Sequence, residues 1–146
     1  MKVREIMTRS PACCEAETPL SEVARMMVIH DCGEIPVIDE MGAPIGVVTD
    51  RDITCRAVAE GKNALEMSAR DVMTSPCVTV ALDDDMRDCV EILEANMIRR
   101  VPVVDADGRC CGIVSQADVA RSETEEQTAE LVKQVSRPIP SHISFI

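Results

Sequence analysis

Two short stretches of this chain put a hydroxyl and a carboxylate at the same spacing. In Gly46-Val47-Val48-Thr49-Asp50-Arg51-Asp52-Ile53 they are Thr49 and Asp52. In Gly112-Ile113-Val114-Ser115-Gln116-Ala117-Asp118-Val119, 66 residues on, they are Ser115 and Asp118. A hydroxyl hydrogen-bonds phosphate, and a carboxylate three residues later accepts from the two hydroxyls of a ribose. An apolar strand running straight into a helix start adds unpaired N–H groups and the positive end of the helix dipole, which suits an anion. The chemistry that fits is the holding of a nucleotide. The same residues also read as ordinary N-caps, because Thr, Ser and Asp are favoured at a strand-to-helix junction.

The elements that must position these junctions repeat as well. Lys2-Val3-Arg4-Glu5-Ile6-Met7-Thr8 matches Ser68-Ala69-Arg70-Asp71-Val72-Met73-Thr74, and each reads as a short helical turn followed by Pro11 or Pro76. Cys77 to Val80 reads as a strand, and Ala12 to Glu15 as a weaker one. Thr18 is the expected cap of a first amphipathic helix with Pro19 at its first position, and Asp83 or Asp84 starts the second. Their stripes, Leu20, Val23, Ala24, Met27 and Met86, Cys89, Val90, Leu93, Met97, superpose in the 66-residue register and read as core faces. Two hairpins follow, Ile35-Pro36-Val37-Ile38-Asp39 and Val101-Pro102-Val103-Val104-Asp105, turning at Gly42 and Gly108. Pro36 and Pro102 are expected at a strand start or edge. A helix over 51–60 ends at Gly61. The divisions are thus 1–61 and 69–122 for the repeats, 62–68 for a connector and 123–146 for a C-terminal helix and tail. In that last segment Leu131 and Val135 are the apolar positions. The fold class is α+β: two β-α-β-β-α repeats about a pseudo-twofold axis, with both junctions opening toward the interface between repeats.

Composition narrows the function. A net charge of −11 argues against nucleic acid and against anionic membrane surfaces as partners. No cleavable leader and no long apolar run is present, so a cytoplasmic chain is expected. Eight cysteines occur without any C-x-x-C pair and with only two histidines, which leaves no zinc spacing and favours reduced structural thiols. No nucleophile–base arrangement is legible, so an enzyme is not expected and no catalytic residue is assigned.

Assembled, these motifs resemble a tandem pair of CBS domains, named after cystathionine β-synthase, of the small stand-alone bacterial type. The resemblance covers roughly residues 2–122. It rests on Met-Thr-x-x-Pro at each start, the apolar-Pro-Val-(Ile/Val)-Asp strand, the turn glycine and Gly-x-Val-(Thr/Ser)-x-x-Asp. It implies a regulatory module that binds an adenine nucleotide or adenosyl compound between the repeats. AMP, ADP, ATP, NAD and S-adenosylmethionine are the candidates, none of them an obligatory cofactor. It also implies a homodimer and an unidentified regulated protein as partners. Thr49 and Asp52, and Ser115 and Asp118, occupy the phosphate and ribose positions. The adenine is expected beside Val78 and Val101 in one pocket and beside Cys13 and Ile35 in the other.

The repeats then differ. Arg99-Arg100 precedes the second proline strand, where Gly33-Glu34 precedes the first. Arginine holds phosphate bidentately, whereas a carboxylate repels it. Arg99, Arg100 and, at a helix start, Arg51 are therefore candidate phosphate ligands, and the two pockets should be unequal. The alternative function is a dimerisation or protein-interaction module that binds no ligand.

Overall fold

A computed structural model describes residues 1–122 and 131–136 of the chain. Two sheets carry the architecture. The first is three-stranded, β2 (Cys14–Glu15), β3 (Glu34–Ile38) and β4 (Pro44–Thr49). The second is four-stranded, in the order β1 (Thr8–Arg9), β7 (Cys110–Ser115), β6 (Arg100–Val104), β5 (Val80–Ala81). In each, a short parallel strand pairs with the proline strand, which pairs antiparallel with the strand leading to the junction. The hairpins keep the 66-residue register: Glu34 lies opposite Thr49, and Arg100 opposite Ser115.

Pro36 and Pro102 sit inside strands rather than at their starts. Each is tolerated because the parallel ladder begins one residue later, at Val37 and Val103. The missing N–H thus falls beyond that ladder's end. The strand expected over 77–80 is only Val80–Ala81, since its pairing is confined to Val103 and Val104.

The helices α1 (Leu20–His30) and α4 (Met86–Asn96) bury Leu20, Val23, Met27 and Met86, Cys89, Leu93. Their caps differ from the expected ones. Pro19 stands at the N-cap itself, while the Thr18 hydroxyl accepts from the Glu15 N–H. Asp85 caps α4 by accepting from the Arg87 N–H; Asp84 instead accepts from the Ala81 N–H, and Asp83 pairs with Arg4. Met97, placed on the apolar stripe by its spacing, terminates α4 in the left-handed region and is 47% exposed. α2 (Asp50–Ile53) continues as a wider π turn over Thr54–Val58, and Gly61 with φ +72° follows. Further helices are α3 (Ala69–Val72) and α5 (Gln116–Ser122), and residues 131–135 are helical as well. Leu131 is fully buried in the second core. The expectations for 123–130 and 137–146 lie outside the described residues.

The leading turns are exchanged between the repeats. Val3 belongs to the core built on α4, β6 and β7, while Ala69 and Val72 belong to the core built on α1, β3 and β4. β1 accordingly pairs with β7 of the other repeat, and Thr74 bridges to Val47 in the mirrored place. Each chain crossing passes over a junction glycine. A Cβ on Gly46 would stand 2.7 Å from the Thr74 carbonyl oxygen, which accepts from the Val47 N–H. Gly46 thus serves the approach of a neighbouring backbone. Gly46→Ala is expected to cost about 2 kcal/mol, because main chain must shift where no rotamer change relieves the clash. A fall of several degrees in thermal midpoint would show it; an unchanged midpoint would mean the crossing is slack.

Candidate functional site

Both junctions are built as reciprocal caps. The Thr49 hydroxyl accepts from the Asp52 N–H at 3.0 Å, and the Asp52 carboxylate accepts from the Thr49 N–H at 2.9 Å. Ser115 and Asp118 do the same at 3.1 and 2.8 Å. Each box fixes the aspartate at the start of its helix. Capping is therefore a real role of all four residues, and it leaves the second carboxylate oxygen of each aspartate for other partners.

Those second oxygens differ. Asp118, only 5% exposed, receives the Arg121 guanidinium on Oδ1. Asp52 Oδ1 lies 3.9 Å from Arg56 Nε, and Arg56 Nη1 donates to the Val72 and Met73 carbonyls at 2.9 and 3.0 Å. Arg56 is thus held to the end of α3, while Arg121 sits directly on the carboxylate of the second repeat.

A cavity of about 340 Å³ opens at the second junction. Ser115, Asp118 and Ile113 line it from that repeat, with Arg100 beside Ser115 in strand register. Thr8, Ser10, Pro11 and Ala12 line it from the chain that crosses over from the first repeat. The end of α1 and the start of β3 complete the wall with His30, Asp31, Cys32 and Glu34. An adjoining cavity of about 430 Å³ shares Asp31, Cys32 and Arg100 and adds Arg99, Asp50, Gly33 and Met27. A hydroxyl, a carboxylate, a guanidinium and an apolar edge therefore converge at one place.

Glu34 is the unusual member of this wall. It is 8% exposed, and burial pushes its carboxyl up to about 7; Arg100 opposes that rise and Asp52 adds to it. Glu34 also acts on Cys77, whose thiol is pushed up to about 12 by burial, with Glu34 and Cys110 contributing. Cys110 in turn hydrogen-bonds with Cys13, which holds the Cys13 thiol below its ordinary value and raises that of Cys110. A thiol of the first repeat thus meets a thiol of the second. Cys14 and Cys89 are buried, with thiols pushed up to about 11 and about 12. Among the described residues no group of three or more His, Cys, Asp or Glu is placed to hold a metal ion.

Of the candidate residues, the larger share of the chemistry gathers here. Ser115, Asp118 and Arg100 share the first cavity, and Arg99 lines the second. Thr49 and Asp52 stand at the other junction, and Arg51 is exposed on α2. Ile35 and Val101 are fully buried in the two cores, Val78 is 37% exposed, and Cys13 donates to the Pro11 carbonyl at 3.3 Å. Sequence reasoning did not pick out Thr8, Ser10, Pro11, Ala12 or Asp31 as lining residues. The Met-Thr-x-x-Pro motif flagged their segment, but only the crossing of the chain puts it against the opposite repeat's junction.

The CBS-domain family matches residues 3–57 and 69–125. The chain belongs to the CBS-domain family. Its two matched segments are the two halves described above, so the fold is that of a tandem CBS pair, a regulatory and non-catalytic kind of module. An uncharacterised protein of Methanopyrus kandleri, MK0525, is 37% identical over 120 residues, 82% of this chain and 59% of that protein, so the chain spans less than two thirds of that relative. The CBS pair of protein MJ0100, solved in complex with 5′-methylthioadenosine and S-adenosyl-L-methionine, is similar at 27% identity with a TM-score of 0.74, over 83% of this chain and 94% of that one. CBSX2 of Arabidopsis thaliana, solved in complex with AMP, is similar at 27% identity with a TM-score of 0.72, over the same shares of the two chains. No helix among the described residues is long and apolar enough to cross a membrane.

Proposed function

We propose that this CBS pair is a regulatory sensor that binds an adenosyl compound in the cavity at the second junction. The observation that carries this reading is the convergence of Ser115, Asp118 and Arg100 with the crossing segment Thr8 to Ala12 in one cavity of about 340 Å³. Its size falls within the range of small-molecule sites. The ribose hydroxyls go to the Asp118 carboxylate in place of Arg121, the base packs along Pro11 and Ala12, and Ser115 and Arg100 face the 5′ substituent. Because the wall is drawn from both repeats, an occupant binds one relative placement of the repeats better than another. That differential affinity is the signal. The complexes of MJ0100 and CBSX2 with adenosyl ligands support the ligand class.

Thermal unfolding of the reduced protein with AMP, ADP, ATP, NAD, S-adenosylmethionine and methylthioadenosine tests the reading. A ligand at about 100 times its dissociation constant adds roughly 2.7 kcal/mol, which moves the midpoint by several degrees. No shift with any of them overturns it.

The output surface we assign to a homodimer, in a cytoplasmic setting. Val28 and Ile29, at the end of α1, are 80% and 69% exposed, an apolar edge that a second copy would cover. The double substitution Val28→Glu with Ile29→Glu is expected to turn a dimer into a monomer in sedimentation equilibrium. A wild-type chain that is monomeric at high concentration rules this surface out. The ligand-free interaction module is favoured instead if the dimer forms and the adenosyl panel is silent; both motif aspartates already have a structural role as caps.

A further inference from the structure

The two repeats place opposite charges at one equivalent position. Glu34 opens β3 opposite Thr49, and Arg100 opens β6 opposite Ser115, 66 residues later. Both side chains line the same cavity. We propose that Glu34 sets the ligand class of that cavity: it takes an adenosyl compound whose 5′ substituent is uncharged or cationic, such as a thioether or a sulfonium, in preference to a polyphosphate. The proposal rests on the functional reading above and narrows it.

The charges around Glu34 carry the argument. From its own side Asp31 lines the cavity and Asp52 acts on Glu34 electrostatically, while burial keeps the Cys77 thiol neutral. From the other repeat come Arg100 and Asp118, the latter already paired with Arg121, and His30 closes the rim from α1. With Glu34 ionised, Asp31 and Glu34 stand against the Arg100 guanidinium among the described residues of the lining, since Asp118 is already paired with Arg121. A triphosphate would bring its charge against a nearly buried carboxylate, where solvent screens little and like-charge contact discriminates strongly between ligands. A thioether meets no such repulsion, and a sulfonium is attracted. Among the described residues lining this cavity, Arg100 is the guanidinium that opposes Glu34, while Arg99 lines the adjoining cavity.

Protonation of Glu34 removes the barrier, so its ionisation near neutral pH makes the selectivity pH-dependent in a set direction. Polyphosphate affinity rises as pH falls through 7, and thioether affinity stays level.

The test is calorimetric titration of wild type and Glu34→Gln with methylthioadenosine and with ATP, at pH 8 and pH 6. At pH 8 wild type is expected to bind methylthioadenosine at least about tenfold tighter than ATP, a difference of about 1.4 kcal/mol. Glu34→Gln is expected to strengthen ATP binding by about tenfold and to leave methylthioadenosine within a small factor. Lowering the pH should give wild type the same gain for ATP. The phosphates of ATP titrate with both proteins, so the difference between the two pH responses belongs to Glu34. Equal affinities for the two ligands, unmoved by Glu34→Gln and by pH, overturn the proposal while leaving adenosyl binding in place. Loss of methylthioadenosine binding in Glu34→Gln overturns it too, since Glu34 is then a direct ligand contact. A wild type that binds neither ligand overturns this proposal, and only silence across the whole adenosyl panel overturns the reading beneath it.

Discussion

Asp118→Ala is expected to weaken adenosyl binding by about 100-fold and to erase the ligand-induced rise in thermal midpoint. The aspartate is 5% exposed, its Oδ2 is fixed by the Ser115 N–H at 2.8 Å, and its Oδ1 faces the cavity under Arg121. Two ribose hydroxyls donating to this charged oxygen are each worth roughly 1.5–3 kcal/mol, and about 2.7 kcal/mol is already 100-fold. The substitution also removes half of a capping box, so the free protein should lose about 1 kcal/mol on that count. The two effects separate experimentally. Asp52→Ala removes the equivalent cap, with its 2.9 Å bond from the Thr49 N–H, yet Asp52 is not part of this cavity's lining. It should lower the midpoint of the free protein by a similar amount and leave the ligand-induced rise standing. If both variants lose the cap and both keep the rise, the aspartates are caps alone and the ligand sits elsewhere.

Much of this was legible in the sequence because the chain repeats itself. The 66-residue offset that aligned Thr49 with Ser115 also aligned Glu34 with Arg100, and the hairpin register keeps both alignments. The buried stripe of α1 could be read from spacing alone, since Leu20, Val23 and Met27 recur at helical intervals. Spacing failed at Met97: periodicity runs on past Asn96, but the backbone turns left-handed there and carries the side chain outward. It also gave no hint of the exchange of leading turns. Val3 and Val72 are apolar in either arrangement, and nothing local says which core each will enter. That exchange is the step that brings Thr8 to Ala12 against the second junction. The cavity is therefore a tertiary product, although Glu34, Arg100 and Asp118 were visible one by one.

Glu34 yields the largest expected change in stability. Its carboxyl ionises at about 7 in the folded chain, against 4.5 in the ordinary case, chiefly because it is buried. Between those values the unfolded chain has lost the proton and the folded chain has kept it. The folded state then binds more protons, so stability falls as pH rises through this window, by about 3 kcal/mol in all. Below the window both states are protonated and the penalty vanishes; above it the folded chain carries the buried charge in full. Glu34→Gln keeps the shape and removes the ionisation. Denaturant titrations of the two proteins should give nearly equal stabilities near pH 4 and a variant more stable by about 3 kcal/mol at pH 8. A constant difference across that range would mean that Arg100 neutralises Glu34 more completely than its burial indicates. The position of the cost is informative. Arg100 faces Glu34 without cancelling the effect of burial, and a neutral residue would remove the penalty altogether. A destabilising charge retained on a cavity wall is what a site shaped for its ligand rather than for stability exhibits. The repeat that supplies Glu34 and the repeat that supplies Arg100 thus contribute opposite charges to one cavity, and the first of them does so at the expense of the fold.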